Sequence, residues 1–267
     1  MIRRPISQRT RIVLGIVAFV LLALTYTGIS QSRYAKNPNQ TTVPGWKELA
    51  GGVHKILAPD TVDYDGHCWL LVDSIASFKR LFTGLGIGCL AGIVIGVAMG
   101  CYTVVEALLL PPLTFLAKIP PTAMLAVFFA LVGVNFGFFV AMIAFGVMPT
   151  LAQAVFQASR NDVPDELIHK ANTLGASQAE VIWNVIFRQV LPRVLDAIRL
   201  QVGPALVYLI AAEWGNTDIG FGYRLRFESR LLHMNVVYVY LAYLGVVGLL
   251  MDFVLVQMRR RLCPWFG

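Results

Sequence analysis

The chain of 267 residues is 57% hydrophobic and only 14% charged, with a mean hydropathy of +0.67. A water-soluble domain of this length carries far more charge on its surface. The apolar runs are continuous rather than alternating, so they read as membrane-crossing helices and not as barrel strands. The formal charge of +7 does not mark a nucleic-acid surface, because it is gathered at the two ends. Arg3, Arg4, Arg9 and Arg11 precede the first apolar run, and Arg259, Arg260 and Arg261 follow the last. Such clusters mark the cytoplasmic ends of spans. The expected class is an all-α, multi-span membrane protein.

Six spans are predicted in chain order: 12–30, 75–100, 106–132, 136–158, 196–213 and 236–258. The first has the basic-then-apolar order of a signal peptide. It lacks a small-x-small cleavage site, since Thr27, Ile29 and Gln31 stand where one is expected. It reads as an uncleaved span. An even count puts both termini on one side, in agreement with the arginine clusters. Residues 31–73 form a polar external segment with an amphipathic piece, Trp46–Leu57, that suits an external cap, an interfacial helix or a spacer.

The second span carries Gly84, Gly88, Gly92, Gly96 and Gly100 at four-residue spacing. This makes a groove along one helix face into which another backbone can pack or slide. In the third, Pro111-Pro112 and Pro120-Pro121 predict a kinked or broken element. Lys118 lies between the pairs, and an ionisable group at membrane depth is a functional candidate unless it snorkels or finds a carboxylate. Asn135, Tyr208 and Glu213 complete the candidate translocation residues. Glu213 ends the fifth span, where a carboxylate can equally be interfacial or salt-bridged, and pairing of Lys118 with Glu213 would serve both roles.

Residues 159–193 are too long a connection to be structureless. Asp162 to Glu166 read as a helix start with a capping aspartate, an early proline and acids at the positive end of the dipole. Leu167, Ala171 and Leu174 share one face, and Gly175 supplies a stop. Ser177-Gln178-Ala179-Glu180 is a capping box for a second helix, Val181 to Val190, ended by Pro192. The outcome is helix, glycine bend, helix. A surface hairpin would have this geometry, and so would an element that docks into a partner's groove.

Ala171-Asn172-Thr173-Leu174-Gly175-Ala176-Ser177, followed by Val190-Leu191-Pro192, resembles the "EAA" loop of ABC importer permeases. The likeness is greatest to the branch that handles nitrate, sulfonates, taurine and bicarbonate. Ser74 to Arg80, Lys118-Ile119-Pro120-Pro121, Ala211-Ala212-Glu213 and Gly220-Phe221-Gly222-Tyr223 resemble further motifs of that branch, in the same order. His169-Lys170-Ala171 replaces the usual Glu-Ala-Ala, and Lys118 stands where arginine is common.

The resemblance implies a type I importer bundle. In it, residues 1–73 hold the tail, first span and external segment, and residues 74–267 hold a five-span core with the coupling loop. It further implies two permease copies, partner ATPase subunits that hold ATP and Mg, an extracytoplasmic solute-binding protein, and membrane lipid around the bundle. Asp165, Glu166, His169, Lys170, Ala171, Leu174, Gly175 and Ala176 would be the ATPase-coupling residues.

No GxxxxGK[ST] loop occurs, so the nucleotide would be hydrolysed by the partner. Two other classes remain open at this level. A stand-alone secondary transporter or channel, for a urea-like compound among others, needs intramembrane ions or inverted repeats; internal acids are sparse and no repeat is visible. An integral-membrane enzyme needs a catalytic or metal constellation. The histidines (54, 67, 169, 233) and cysteines (68, 89, 101, 263) have no metal spacing, so neither catalytic residues nor metal ligands nor cofactors are expected in the chain.

Overall fold

Five long helices and one bent pair account for the six predicted spans. The computed structural model describes residues 7–38, 40–60 and 66–266; Arg3 and Arg4 of the basic cluster lie outside them. Helix α1 is Gln8–Lys36, begun by Ser7, whose side chain accepts a bond from the Thr10 N–H. Helix α2, Trp46–Leu57, has the bounds that its amphipathic pattern gave. A minimal ladder of Pro59–Asp60 and His67–Cys68 leads into α3, Trp69–Cys101.

Next come α4, Thr103–Leu116, a 3₁₀ turn, Pro121–Met124, and α5, Leu125–Val132. Helices α6, Phe136–Asn161, and α7, Asp165–Thr173, follow. Then α8, Gln178–Glu180, a π-helical stretch, Val181–Phe187, and α9, Arg188–Asn216, run on as one rod of 39 residues. Helices α10, Phe221–Arg230, and α11, Met234–Leu262, complete the chain.

The bend in the third span falls at one proline pair and not the other. Pro111 and Pro112 lie inside α4, which passes through them, while the 81° break follows at residues 117–120. Pro120 forces its predecessor out of helical backbone, and Pro121 then opens the 3₁₀ turn. Pro192 likewise fails to end a helix as expected. It is buried inside α9, between Val190 and Val194 on the core side. One backbone bond is forgone there, and the π-helical stretch ending at Phe187 lies just upstream, where a widened turn relieves crowding.

The glycine row of α3 is a packing groove for α6. A Cβ on Gly84 would lie 2.7 Å from Ile143 Cβ, one on Gly96 would lie 2.6 Å from the Ala152 carbonyl, and one on Gly100 would lie 2.3 Å from Ser159 Cβ. Side chains cannot occupy those positions, so the two rods meet backbone to backbone, the close approach that small residues permit in membranes. Around this seam Leu81, Ile143, Val147, Leu151, Val155 and Leu209 form the buried core. Helix α1 is different: Ser30 is its single buried residue, and its apolar side chains face outward along its length.

Candidate functional site

The α6–α7–α8 connection is a capped hairpin. Val163 is buried and Pro164 precedes the first turn of α7, where Asp165 and Glu166 sit at the positive end of the dipole. Asp162 is not the cap expected of it. It ends α6 and pairs with Arg193 at 3.3 Å, stitching the hairpin's entry to the start of α9. At the far end of α7 the chain closes in a Schellman arrangement: the Gly175 N–H donates to Asn172 O at 3.0 Å, and Ala176 N–H to Ala171 O at 3.1 Å. Gly175 has φ +83°, which a side chain disfavours, and nothing lies within 4 Å of where its Cβ would be.

The capping box is present in full. The Ser177 hydroxyl accepts the Glu180 N–H, and the Glu180 carboxylate accepts the Ser177 N–H at 2.8 Å. Donation by the Ser177 N–H, and then by the Ser177 hydroxyl, holds the Glu180 carboxyl below its usual range.

Two faces of α7 differ in a way the sequence pattern missed. Ile168 and Ala171 pack on the core, with Ala176 beyond the bend. Leu174, expected on the same face as Ala171, is 89% exposed. Asp165, Glu166, His169, Lys170 and Gly175 are exposed as well. A cavity of about 300 Å³ lies beside that packing, between the hairpin and the ends of α3 and α6, walled in part by Gly100, Ser159, Asn172 and Gln178.

At the opposite end of the rods sits a buried ionic network that sequence reasoning did not assemble. Glu213 is fully buried. It receives Arg80 at 2.7 Å, the Ser77 hydroxyl at 2.8 and 2.9 Å, and the Gly222 N–H at 2.9 Å. Arg80 also donates to Ile219 O and Thr217 Oγ1 and stacks 4.2 Å over Phe139. Gly220, at φ +126°, passes so close that a Cβ would lie 2.7 Å from the Glu213 carboxyl carbon.

Beside it, buried Asp73 accepts the Gly220 N–H at 2.9 Å, Arg224 Nε at 3.0 Å and the Tyr240 hydroxyl at 2.7 Å. Glu228, also buried, takes Lys55 at 3.3 Å and His233 at 2.8 Å. Together these bonds fasten α3, α9, α10, α11 and α2. Arg224 is thus a neutralised structural cation.

No hydrogen bond or ion pair joins Lys118, Asn135, Tyr208 and Glu213 to one another. Glu213 pairs with Arg80 rather than with Lys118, because Arg80 reaches it at 2.7 Å from the facing helix α3. Lys118 is exposed at the break between α4 and the 3₁₀ turn. Asn135 caps α6, accepting the Phe138 N–H at 3.2 Å and donating to Val132 O at 2.8 Å. Tyr208 lies over Gly146, where a Cβ would meet its ring at 2.3 Å. Among the described residues no group of three or more His, Cys, Asp or Glu could hold a metal ion.

Residues 88–263 match the model of the family described as binding-protein-dependent transport system inner membrane component. A probable ABC transporter permease protein of Brucella melitensis is 30% identical over 229 residues, covering 84% of this chain and 90% of that protein. The taurine transport system permease protein TauC of Escherichia coli is 30% identical over 192 residues, 72% of this chain and 70% of its own. The nitrate import permease protein NrtB of Synechocystis is 26% identical over 185 residues, with coverages of 68% and 66%.

Among solved structures, a chain of the inward-facing MetNI methionine ABC transporter superposes with TM-score 0.61 at 19% identity. That match covers 73% of this chain and 96% of the other, and at that identity it establishes the fold alone. A permease of this kind works with separate ATPase subunits and a solute-binding protein. The chain belongs to the family of binding-protein-dependent transport inner membrane components and is the membrane-spanning permease subunit of an ABC importer.

Proposed function

We propose that two copies of this chain enclose a pathway for a small polar anion, and that each hairpin seats in a groove of a partner ATPase on the cytoplasmic side. The relatives named for taurine and nitrate support the solute class, and relatives named for aliphatic sulfonates and bicarbonate extend it. With the hairpin inside, the even number of spans puts both termini there too, where the Arg259–Arg261 cluster suits a cytoplasmic boundary. Lys118, an exposed cation at the 81° break, is the pathway group we carry forward. Glu213 and Asn135 would serve that path only as structure, their polar atoms being spent on Arg80 and on a helix cap.

The observation that carries this reading is Leu174. A large apolar side chain held out at a fixed glycine bend, beside exposed Glu166, His169 and Lys170, is a knob for a hydrophobic hole in another subunit. ATP and Mg would act in that subunit. Closure of its nucleotide sites would then move the hairpin, with α6 and α9 behind it, and shift the bundle between two states.

Gly175→Val tests the coupling. A β-branched residue in left-handed backbone costs at least about 1–2 kcal/mol, so the bend should open and turn Leu174 away. The variant should reach the membrane at parental levels, yet lose most solute-stimulated ATP hydrolysis in proteoliposomes. Transport at the parental rate would overturn the role.

A further inference from the structure

Helix α2 presents two apolar stripes, and the fold accounts for one of them. Leu49, Gly52 and Ile56 face inward: a Cβ on Gly52 would lie 2.6 Å from the Asn235 carbonyl, so α2 rests directly on the first turn of α11. A second stripe, Trp46, Ala50, Val53 and Leu57, recurs at steps of four, three and four and is exposed. On an ideal helix it lies about 100° round from the first, while Lys47, His54 and Gly51 occupy the remaining side. A helix with one face on protein, one adjacent apolar face open and a polar back has the form of an in-plane interfacial helix.

Two spans fix its depth independently. The Trp46 indole N–H donates to Thr27 Oγ1 at 3.0 Å, and Tyr26 packs edge-on against Trp46 with ring centroids 5.5 Å apart. Tyr26 also donates to Pro44 O at 2.6 Å, and the Tyr34 hydroxyl donates to Glu48. These contacts lie near the end of the apolar run of α1. From the other side, Asn235 opens the apolar run of α11, and Tyr238 stands 5.9 Å from the Tyr26 ring. A hydrocarbon core takes about 20 helical residues, so both spans put α2 at the same water–lipid boundary, opposite the hairpin. Tyr26, Trp46 and Tyr238 form the aromatic belt found at that depth.

We infer that α2 lies flat in the leaflet opposite the hairpin, with Trp46, Ala50, Val53 and Leu57 dipped among lipid acyl chains, and that it anchors α1 to the core from there. The occupant is lipid because the stripe is continuous with the outward apolar surface of α1, whose sole buried residue is Ser30. Nothing in this inference depends on the ATPase coupling or the solute class. It also concerns residues ahead of those matched by the family model.

The test is a nitroxide scan of the full chain in the assembled importer, in nanodiscs of mixed phosphatidylcholine and phosphatidylglycerol. Single cysteines are placed at positions 47, 50, 51, 53, 54 and 57 after Cys68, Cys89, Cys101 and Cys263 are replaced by serine. Collision of the label with oxygen against an aqueous nickel chelate should oscillate with helical period. Ala50→Cys, Val53→Cys and Leu57→Cys should favour oxygen several-fold over Lys47→Cys and His54→Cys, at a depth of about 5–10 Å. Nickel access at the stripe equal to that at Lys47→Cys would overturn the inference. Exclusion of both reagents would overturn it too, since the stripe would then be covered by protein, whether a second copy or a docked binding protein. Two further variants guard against damage by the labels. Val53→Asp should loosen α1, seen as narrower, more mobile spectra from a label at Gly28→Cys, whereas His54→Asp should not; equal effects would also count against it.

Discussion

The two ends of this bundle solve opposite problems with charged residues. At the network end Asp73, Glu213, Arg224 and Glu228 are buried, and each carboxylate is met by a cation and at least one further donor. At the hairpin end the ion pairs are half open, as in Arg193–Asp162 with side-chain exposures of 55% and 41%, and Leu174 and Gly175 are exposed. Burial of charge without full pairing is costly, so the first end holds essentially one arrangement. The second keeps its polar groups solvated and its tip unfilled, and it can trade neighbours cheaply. A permease needs both: a rigid frame for its rods, and an accessible lever that a second protein can grip.

The largest effect should come from breaking the frame. Glu213→Ala leaves Arg80 beside Phe139 without its carboxylate, and removing one partner of a buried pair costs about 3–5 kcal/mol. The variant is expected to melt far below the parent in detergent, or to be degraded before purification. Glu213→Gln, which keeps the shape but not the charge, should lose less. A parental melting profile for the alanine variant would mean that the network end is not the stiffer one.

A middle-sized effect should come from the seam that joins the two ends. Gly96→Leu drives a side chain into Val155 and the Ala152 carbonyl, both 2.6 Å from its Cβ. Overpacking of that kind costs about 1–3 kcal/mol. Gly86 lies on the same helix, yet nothing stands within 4 Å of its Cβ. Gly86→Ala should therefore match or exceed the parent in thermal stability. If both variants melt alike, the glycine row is not what holds α3 against α6.

The same contrast explains what could be read from the sequence. Features set by neighbours along the chain were legible: the bounds of α2, the capping box at Ser177, the glycine stop at Gly175 and the glycine row. Each is a rule about residues within a turn or two, and resemblance to a known loop added the partner it would serve. The network was not legible. Asp73 meets Gly220 and Arg224, and Ser77 and Arg80 meet Glu213, across more than 130 positions of chain. Pro192 misled because a local breaker was overruled by burial and by the widened turn upstream. Leu174 misled because its spacing from Ala171 is helical while its position is a cap, where the chain already leaves the helix path.

The smallest effect on stability should accompany a large effect on function, at Leu174 itself. Leu174→Ala removes a side chain that is 89% exposed, so melting of the isolated permease should shift by no more than about 0.5 kcal/mol. In the assembled importer the same change should weaken retention of the ATPase on an affinity column and lower solute-stimulated hydrolysis. Ile168→Ala supplies the contrast from the other face of α7: it empties a core contact and should lower stability first, with coupling failing in proportion. An alanine at 174 that leaves ATPase retention and hydrolysis untouched would show that the exposed leucine is a surface accident, and that the partner grips the hairpin through its charged face.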